Sequence, residues 1–147
     1  LSGGIPGFPN AQGYCFPVGE KYSYSNDWHA PRYIPEFHLH EGTDILAPRW
    51  TPVYACVDGT VEKIRITKVG GKIIGLRGNN GHYYYYAHLE AFAVSLEPGI
   101  KVKSGQIIGY VGNSGNAQGG PTHLHFGIKV KGEWINPYPV LKSWEEG

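Results

Sequence analysis

The side chains with the most chemical potential fall in three places in this 147-residue chain: His38-Leu39-His40-Glu41-Gly42-Thr43-Asp44, His88 after a run of four tyrosines, and the pair His123-Leu124-His125. In the first, a histidine and an aspartate stand four apart with Gly42 between them. If the backbone turns sharply at that glycine, an imidazole nitrogen and a carboxylate oxygen can converge on one metal ion, a mixture that borderline cations such as zinc favour. On this ground alone either His38 or His40 is the imidazole. Two ligands do not hold a catalytic metal, so a solvated polar loop is the competing reading until a third ligand is found.

Side chains two apart on a strand point to the same face. His123 and His125 therefore share one face, while Leu124 and Phe126 share the other. The same parity puts His82, Tyr84, Tyr86 and His88 on one face of the tyrosine strand, and Tyr83, Tyr85 and Ala87 on the other. His88 is expected at the end of that strand, where a side chain reaches into a cleft. His82 is expected to be exposed beside its turn.

What must position these residues is a series of short strands. Gly 22, Pro 11 and Tyr 11 describe many strands joined by tight turns, not helices. Alternating or apolar runs predict strands over 14–18 (an edge strand, given Pro17), 52–57, 60–67, 72–77, 82–89, 100–102, 107–112 and 122–130. Turns at Asp58-Gly59, Gly70-Gly71 and 78–81 make the pattern antiparallel. Residues 19–37 read as a long structured loop of the kind that is usually functional, and 113–121 as a small-residue loop. The segment 90–96 is the one place where a short helix or irregular stretch is expected, and the tail is expected to pack over one end of the sheet. The fold class is all-β, an antiparallel sheet or sandwich with long loops walling a groove. Residues 1–12 form an extended lead-in, and 13–147 a single domain.

Thirteen basic and twelve acidic side chains leave a net charge of +1, without the basic surplus that nucleic-acid binding needs. No apolar run approaches the roughly 20 residues of a membrane span. The chain starts at Leu1 and has no methionine, which reads as a mature or truncated product with any leader or anchor outside it. A Cys15–Cys56 disulfide would close a loop of about 40 residues and contribute roughly 4 kcal/mol. The alternative is two buried free thiols.

Taken in order, His40-x-Gly42-x-Asp44, Tyr86-Ala87-His88-Leu89 and His123-Leu124-His125-Phe126 resemble the lysostaphin-type zinc metallopeptidases, peptidase family M23. The connecting stretches 51–55, 58–61, 102–109 and Ile135-Asn136-Pro137 resemble that family too, so the likeness runs from about Tyr14 to Pro139. The resemblance implies a duplicated hybrid motif-like barrel-sandwich and one zinc ion held by His40, Asp44 and His125, with water at the open position. Three protein ligands plus an exchangeable water suit a catalytic zinc, which lowers the water's pKa to about 7. His88 and His123 are then the two catalytic histidines that do not bind the metal. His123 suits a general base and His88 a donor to the oxyanion or leaving amine, though the two roles are exchangeable. His38 falls outside the ligand set and His29 has no role. Tyr33, Arg32 and Asn116 are the candidate substrate contacts.

The implied function is zinc-dependent endopeptidase action on the peptide cross-links of bacterial peptidoglycan. Its partners would be stem or cross-bridge peptides, and its place extracytoplasmic, in the cell envelope or secreted, as a monomer. Two other readings compete. One is a non-catalytic cell-wall binding or activator domain of the same fold, which would lack ligands. The other is a histidine phosphocarrier, suggested by Val-x-x-Gly-x-x-Ile-Gly at 102–109, which would need no Asp44.

Overall fold

The structure, a computed structural model, describes residues 5–19, 21–33 and 37–146. In chain order the strands are β1 (Pro31–Arg32), β2 (His38–Leu39), β3 (Thr43–Leu46), β4 (Pro52–Tyr54), β5 (Gly59–Thr67) and β6 (Gly71–Gly78). They continue with β7 (Tyr83–Phe92), β8 (Lys101–Val102), β9 (Ile107–Val111), β10 (His123–Val130) and β11 (Glu133–Ile135), and the chain closes on helix α1 (Tyr138–Glu146). Every pairing is antiparallel, because each connection is a turn or loop rather than a crossover helix. The main sheet runs β11-β10-β7-β6-β5-β8, with β3 also on β10 and with β9 leading off β7 to β4. It is not closed into a barrel. β1 and β2 form a separate two-stranded ribbon.

The core gathers the inward residues of the long strands, including Val61, Ile74, Leu76, Tyr84, Tyr86, Leu89, Ile108, Leu124 and Phe126. The alternation on β10 holds: Leu124 and Phe126 are fully buried, while His123 and His125 face the other way. Cys15 and Cys56 are both buried free thiols. Burial pushes Cys15 up to about 11 and raises Cys56 as well, so both stay protonated and inert at neutral pH.

The structure departs from the sequence reading in four places. Residues 14–18 form no strand: Val18 makes an isolated bridge to Val53, and beside it Cys15 N–H donates to Cys56 O at 2.9 Å and Tyr54 N–H to Pro17 O at 2.8 Å. Of the lead-in, residues 1–4 lie outside the described residues; beyond them, Phe8 N–H donates to Ile5 O and Gly13 N–H to Asn10 O, both at 3.0 Å, closing two turns. Within the expected loop 19–37, residues 20 and 34–36 lie outside the described residues, and β1 is part of a ribbon. Residues 90–92 continue β7, and the helix is instead α1 at the tail. Asn136 Oδ1 accepts the Tyr138 N–H at 3.0 Å, and Pro139 in the first turn has no N–H to leave unpaired. Among the described residues no helix is long and apolar enough to cross a membrane.

Helix α1 closes the core from beneath the site. Trp144 stacks on Tyr14 at 5.2 Å between ring centroids and meets Phe126 edge-on at 6.1 Å. Phe126 is the chain neighbour of His125, so α1 backs the strand that carries both site histidines. Its last turn is clamped by Tyr22 and Tyr24, whose hydroxyls donate to buried Glu145. Trp144→Ala is expected to cost about 3–5 kcal/mol, read as a lower urea midpoint at unchanged slope.

Candidate active site

Strand β10 builds the centre by pairing on both sides. His125 lies opposite Asp44 of β3 on one side and opposite Ala87 of β7 on the other. Directly opposed residues have neighbouring side chains, so Asp44 and His125 meet although 81 residues separate them. His40, in the bend before β3, completes the group. His40 Nε2 lies 3.1 Å from Asp44 Oδ1 and 3.0 Å from His125 Nδ1, and the third side of that triangle is 3.2 Å. With bonds of about 2.0–2.1 Å, the ligand atoms of a tetrahedral zinc stand about 3.3–3.4 Å apart. The triangle fits that spacing, and among the described residues it is the one His/Asp/Glu/Cys group compact enough to hold an ion.

A hydrogen bond on the far side of His40 sets which of its nitrogens faces the triangle. His40 Nδ1 is 3.3 Å from the backbone oxygen of Asp27, which only accepts, so Nδ1 carries the hydrogen and Nε2 faces the triangle. Burial works against a charge on His40, but hydrogen bonds to Asp27 and Asp44 outweigh it and raise its pKa to about 9. Burial alone would raise Asp44, yet its contacts with His125 and His40 keep it ionised well below the usual carboxylate range. His125 is lowered, chiefly by burial. Without a metal, then, one proton on His40 sits where a cation would. Gly42 is needed for space and not for an unusual backbone angle: a Cβ there would stand 2.7 Å from His125 Nε2 and 2.8 Å from Phe126 O.

His88 and His123 flank the triangle. Their ring centroids are 5.1 Å apart, and His123 Nε2 is 3.7 Å from Asp44 Oδ1. Each donates its Nδ1–H to a backbone carbonyl, His88 to Ser114 at 2.8 Å and His123 to Pro121 at 3.1 Å. That leaves Nε2 as the acceptor of each ring in its neutral form. Burial pushes His88 down to about 4, with the Ser114 hydrogen bond acting the other way.

His88 reaches the site by a route that alternation does not give. Tyr84 and Tyr86, its partners in parity, are in the core, and His88 is in the middle of β7, not at its end. The β6–β7 register slips between Lys72 and Ile74, so Ala87 and His88 together oppose the single residue Ile73. This is a β-bulge, with His88 at φ 64° and its N–H bonded to Gly70 O at 2.8 Å. The extra residue turns the imidazole from the core face to the groove.

A groove of about 660 Å3 runs over the centre. Arg32, Tyr33, His38 and Leu39 from the ribbon form one wall, and Val69, Gly70, Asn116 and Ala117 another. Tyr33 is 70% exposed and leans on Phe37, at the rim. Arg32 Nη2 reaches Asp44 Oδ2 at 3.4 Å. His38 lines the groove without joining the triangle, and His29 stacks on Trp28 outside it. Two further features escaped the sequence reading. Tyr85 meets His125 edge-on at 5.8 Å and, with Trp134, floors the groove; its face was readable from the strand parity. Asp27 contacts His40, Asp44 and Arg32, and no motif marks it.

Two outcomes follow from this geometry. Gly42→Ala is expected to displace the His125 ring and cost about 1–3 kcal/mol, seen as shifted His125 imidazole NMR signals and a lower melting midpoint. In chelator, His40 has a folded pKa above its unfolded value, so its stabilisation is full below about pH 6.5 and lost as pH rises through about 9. Melting temperatures of the metal-free protein should fall across that window, and His40→Gln should flatten the fall.

Comparison with known proteins agrees with this architecture. The model of peptidase family M23 matches residues 38–137, an interval that contains the whole triangle and both flanking histidines. The L-Ala–D-Glu endopeptidase of Bacillus subtilis strain 168 is 41% identical over 141 residues, 90% of this chain and 43% of that protein. This chain thus spans less than half of that relative's length. The antimicrobial peptidase lysostaphin from Staphylococcus simulans superposes with TM-score 0.71 and 31% identity over 86% of this chain and 51% of that one. A zinc containing peptidase from Vibrio cholerae gives TM-score 0.71 and 29% identity over 82% of this chain and 37% of that one. By its sequence, its fold and its match over most of its length, the chain belongs to peptidase family M23.

Proposed function

We propose that this chain is a zinc-dependent endopeptidase that hydrolyses peptide bonds in the stem or cross-bridge peptides of bacterial peptidoglycan. The observation that carries the reading is the triangle of His40 Nε2, Asp44 Oδ1 and His125 Nδ1, three converging donors with sides of 3.0–3.2 Å. One zinc ion held by these three residues would supply Lewis acidity and a water acidified to a pKa of about 7.

The chain's own groups do the rest. His123, anchored through Nδ1 and with Nε2 3.7 Å from Asp44 Oδ1, is placed to take the water's proton. Neutral His88 also offers only an acceptor at Nε2, so it cannot donate to an oxyanion until it has gained a proton. The donor to the developing oxyanion or the leaving amine is therefore whichever of the pair has just been protonated. Tyr33, Arg32 and Asn116 line the groove and are the proposed substrate contacts. Arg32 has five N–H donors, more than its present carboxylate contacts use, and is suited to a substrate carboxylate. Residues 13–147 would act as one catalytic unit, a monomer in an extracytoplasmic setting. A non-catalytic wall-binding role and a phosphocarrier role are disfavoured by the complete donor set, Asp44 included.

Mutation separates the roles. Asp44→Ala and His125→Ala are expected to lose both bound zinc and hydrolysis of defined peptidoglycan fragments. His123→Ala should keep zinc while kcat falls by about 10²–10⁴-fold. Full activity of Asp44→Ala in the presence of chelator would overturn the reading.

A further inference from the structure

Asp27 belongs to no motif and to none of the roles above, yet it touches two corners of the triangle. We propose that Asp27 is the positioning residue of the metal centre: it fixes His40 and Asp44 in the geometry that binds the ion, and does so partly through Arg32. The inference rests on the reading of the triangle as a metal site.

The contacts run in two directions. Toward His40, the Asp27 backbone oxygen accepts the Nδ1–H at 3.3 Å, and Asp27 Oδ2 lies 3.5 Å from the same nitrogen. The turn that Asp27 opens is bonded to His40 on both sides: His29 N–H donates to His40 O at 2.7 Å, and His40 N–H to Ala30 O at 2.9 Å. Ala30 N–H closes that turn on Asp27 O at 3.1 Å. The imidazole is thus held in one tautomer and one orientation, with Nε2 inward. A histidine ligand whose outer nitrogen is fixed in this way is a stronger and better-aimed donor.

Toward Asp44, Asp27 Oδ2 accepts the Asp44 backbone N–H at 3.3 Å, which fixes where β3 begins relative to His40. The same oxygen holds Arg32 Nη2 at 3.5 Å, and that nitrogen reaches Asp44 Oδ2 at 3.4 Å. Asp44 is therefore divided: Oδ2 is engaged by the guanidinium, and Oδ1 alone points into the triangle. A carboxylate held like this offers one ligand atom and not two.

Ordinary stabilisation does not account for the arrangement. Asp27 Oδ1 is buried with no hydrogen-bond partner among the described residues. Leaving a carboxylate oxygen without donors is costly, so the side chain is placed for what Oδ2 does and not for its own solvation. Functional centres are where such costs are tolerated.

The test uses zinc affinity by chelator competition, with the cobalt(II) absorption spectrum as a second readout. Wild type should bind one equivalent; absence of binding there would refute the metal reading itself, not this inference alone. With wild type binding, Asp27→Ala is expected to weaken zinc by about 10–100-fold, while circular dichroism of the metal-free protein stays unchanged. Asp27→Asn keeps one acceptor and should fall in between; it also carries the test if Asp27→Ala does not fold. Loss of the hold on Asp44 should lower the intensity of the cobalt visible bands, as expected when the carboxylate binds through both oxygens. Zinc affinity within about twofold of wild type in the folded variants, with an unchanged cobalt spectrum, overturns the proposal.

Discussion

Three donors within about 3 Å of one another repel unless a positive charge sits between them. That requirement governs the centre. In the metal-free chain it is met by a proton on His40, whose pKa of about 9 follows from the carboxylates around it. The same position suits a small divalent cation. The fold's task is to hold the donors together against that repulsion, which takes elements that cannot slide apart. Strand β10 does this by lying between β3 and β7, with His125 fixed by hydrogen-bonded neighbours on both edges.

The two faces of β10 divide the work. Leu124 and Phe126 bury into the core and are backed by Trp144 of α1, while His123 and His125 open on the groove. Burial on one face thus supplies the rigidity that the polar face needs. The accessory histidines are disciplined the same way, each spending its Nδ1–H on a backbone carbonyl. Because those carbonyls belong to the loop between β9 and β10, the loop sets ring orientation as well as wall shape.

Much of this was legible in the sequence, and the failures are instructive. Period-two alternation on 122–130 gave the faces of β10 correctly, because one face of that strand is fully apolar. The same rule put His88 with the core tyrosines, since a bulge adds a residue without leaving a compositional mark. Gly42 was noticed for a turn, whereas its reason is the His125 ring pressed against it, a contact across the fold that no local pattern encodes. Asp27 was invisible for a like reason: it reaches Asp44 across 17 residues, within a segment with no periodicity at all. Helix α1 went unread because its two prolines, Pro137 and Pro139, weigh against a helix until one sees that they stand at its start.

The bulge in β7 makes the centre depend on arithmetic as much as on chemistry. Ala87 and His88 share one partner, so the tyrosine strand is one residue longer than the strand it pairs with at that point. A relative lacking one of the two could keep every apolar contact of the sheet, with Leu89 still in phase with Tyr86, and each of the three triangle side chains, yet a single groove-facing place would have to serve both for the residue opposite His125 and for the imidazole bonded to Ser114. Length, and not only residue type, would then separate a complete pair of flanking imidazoles from an incomplete one, and a comparison that scores only matching letters would miss the difference.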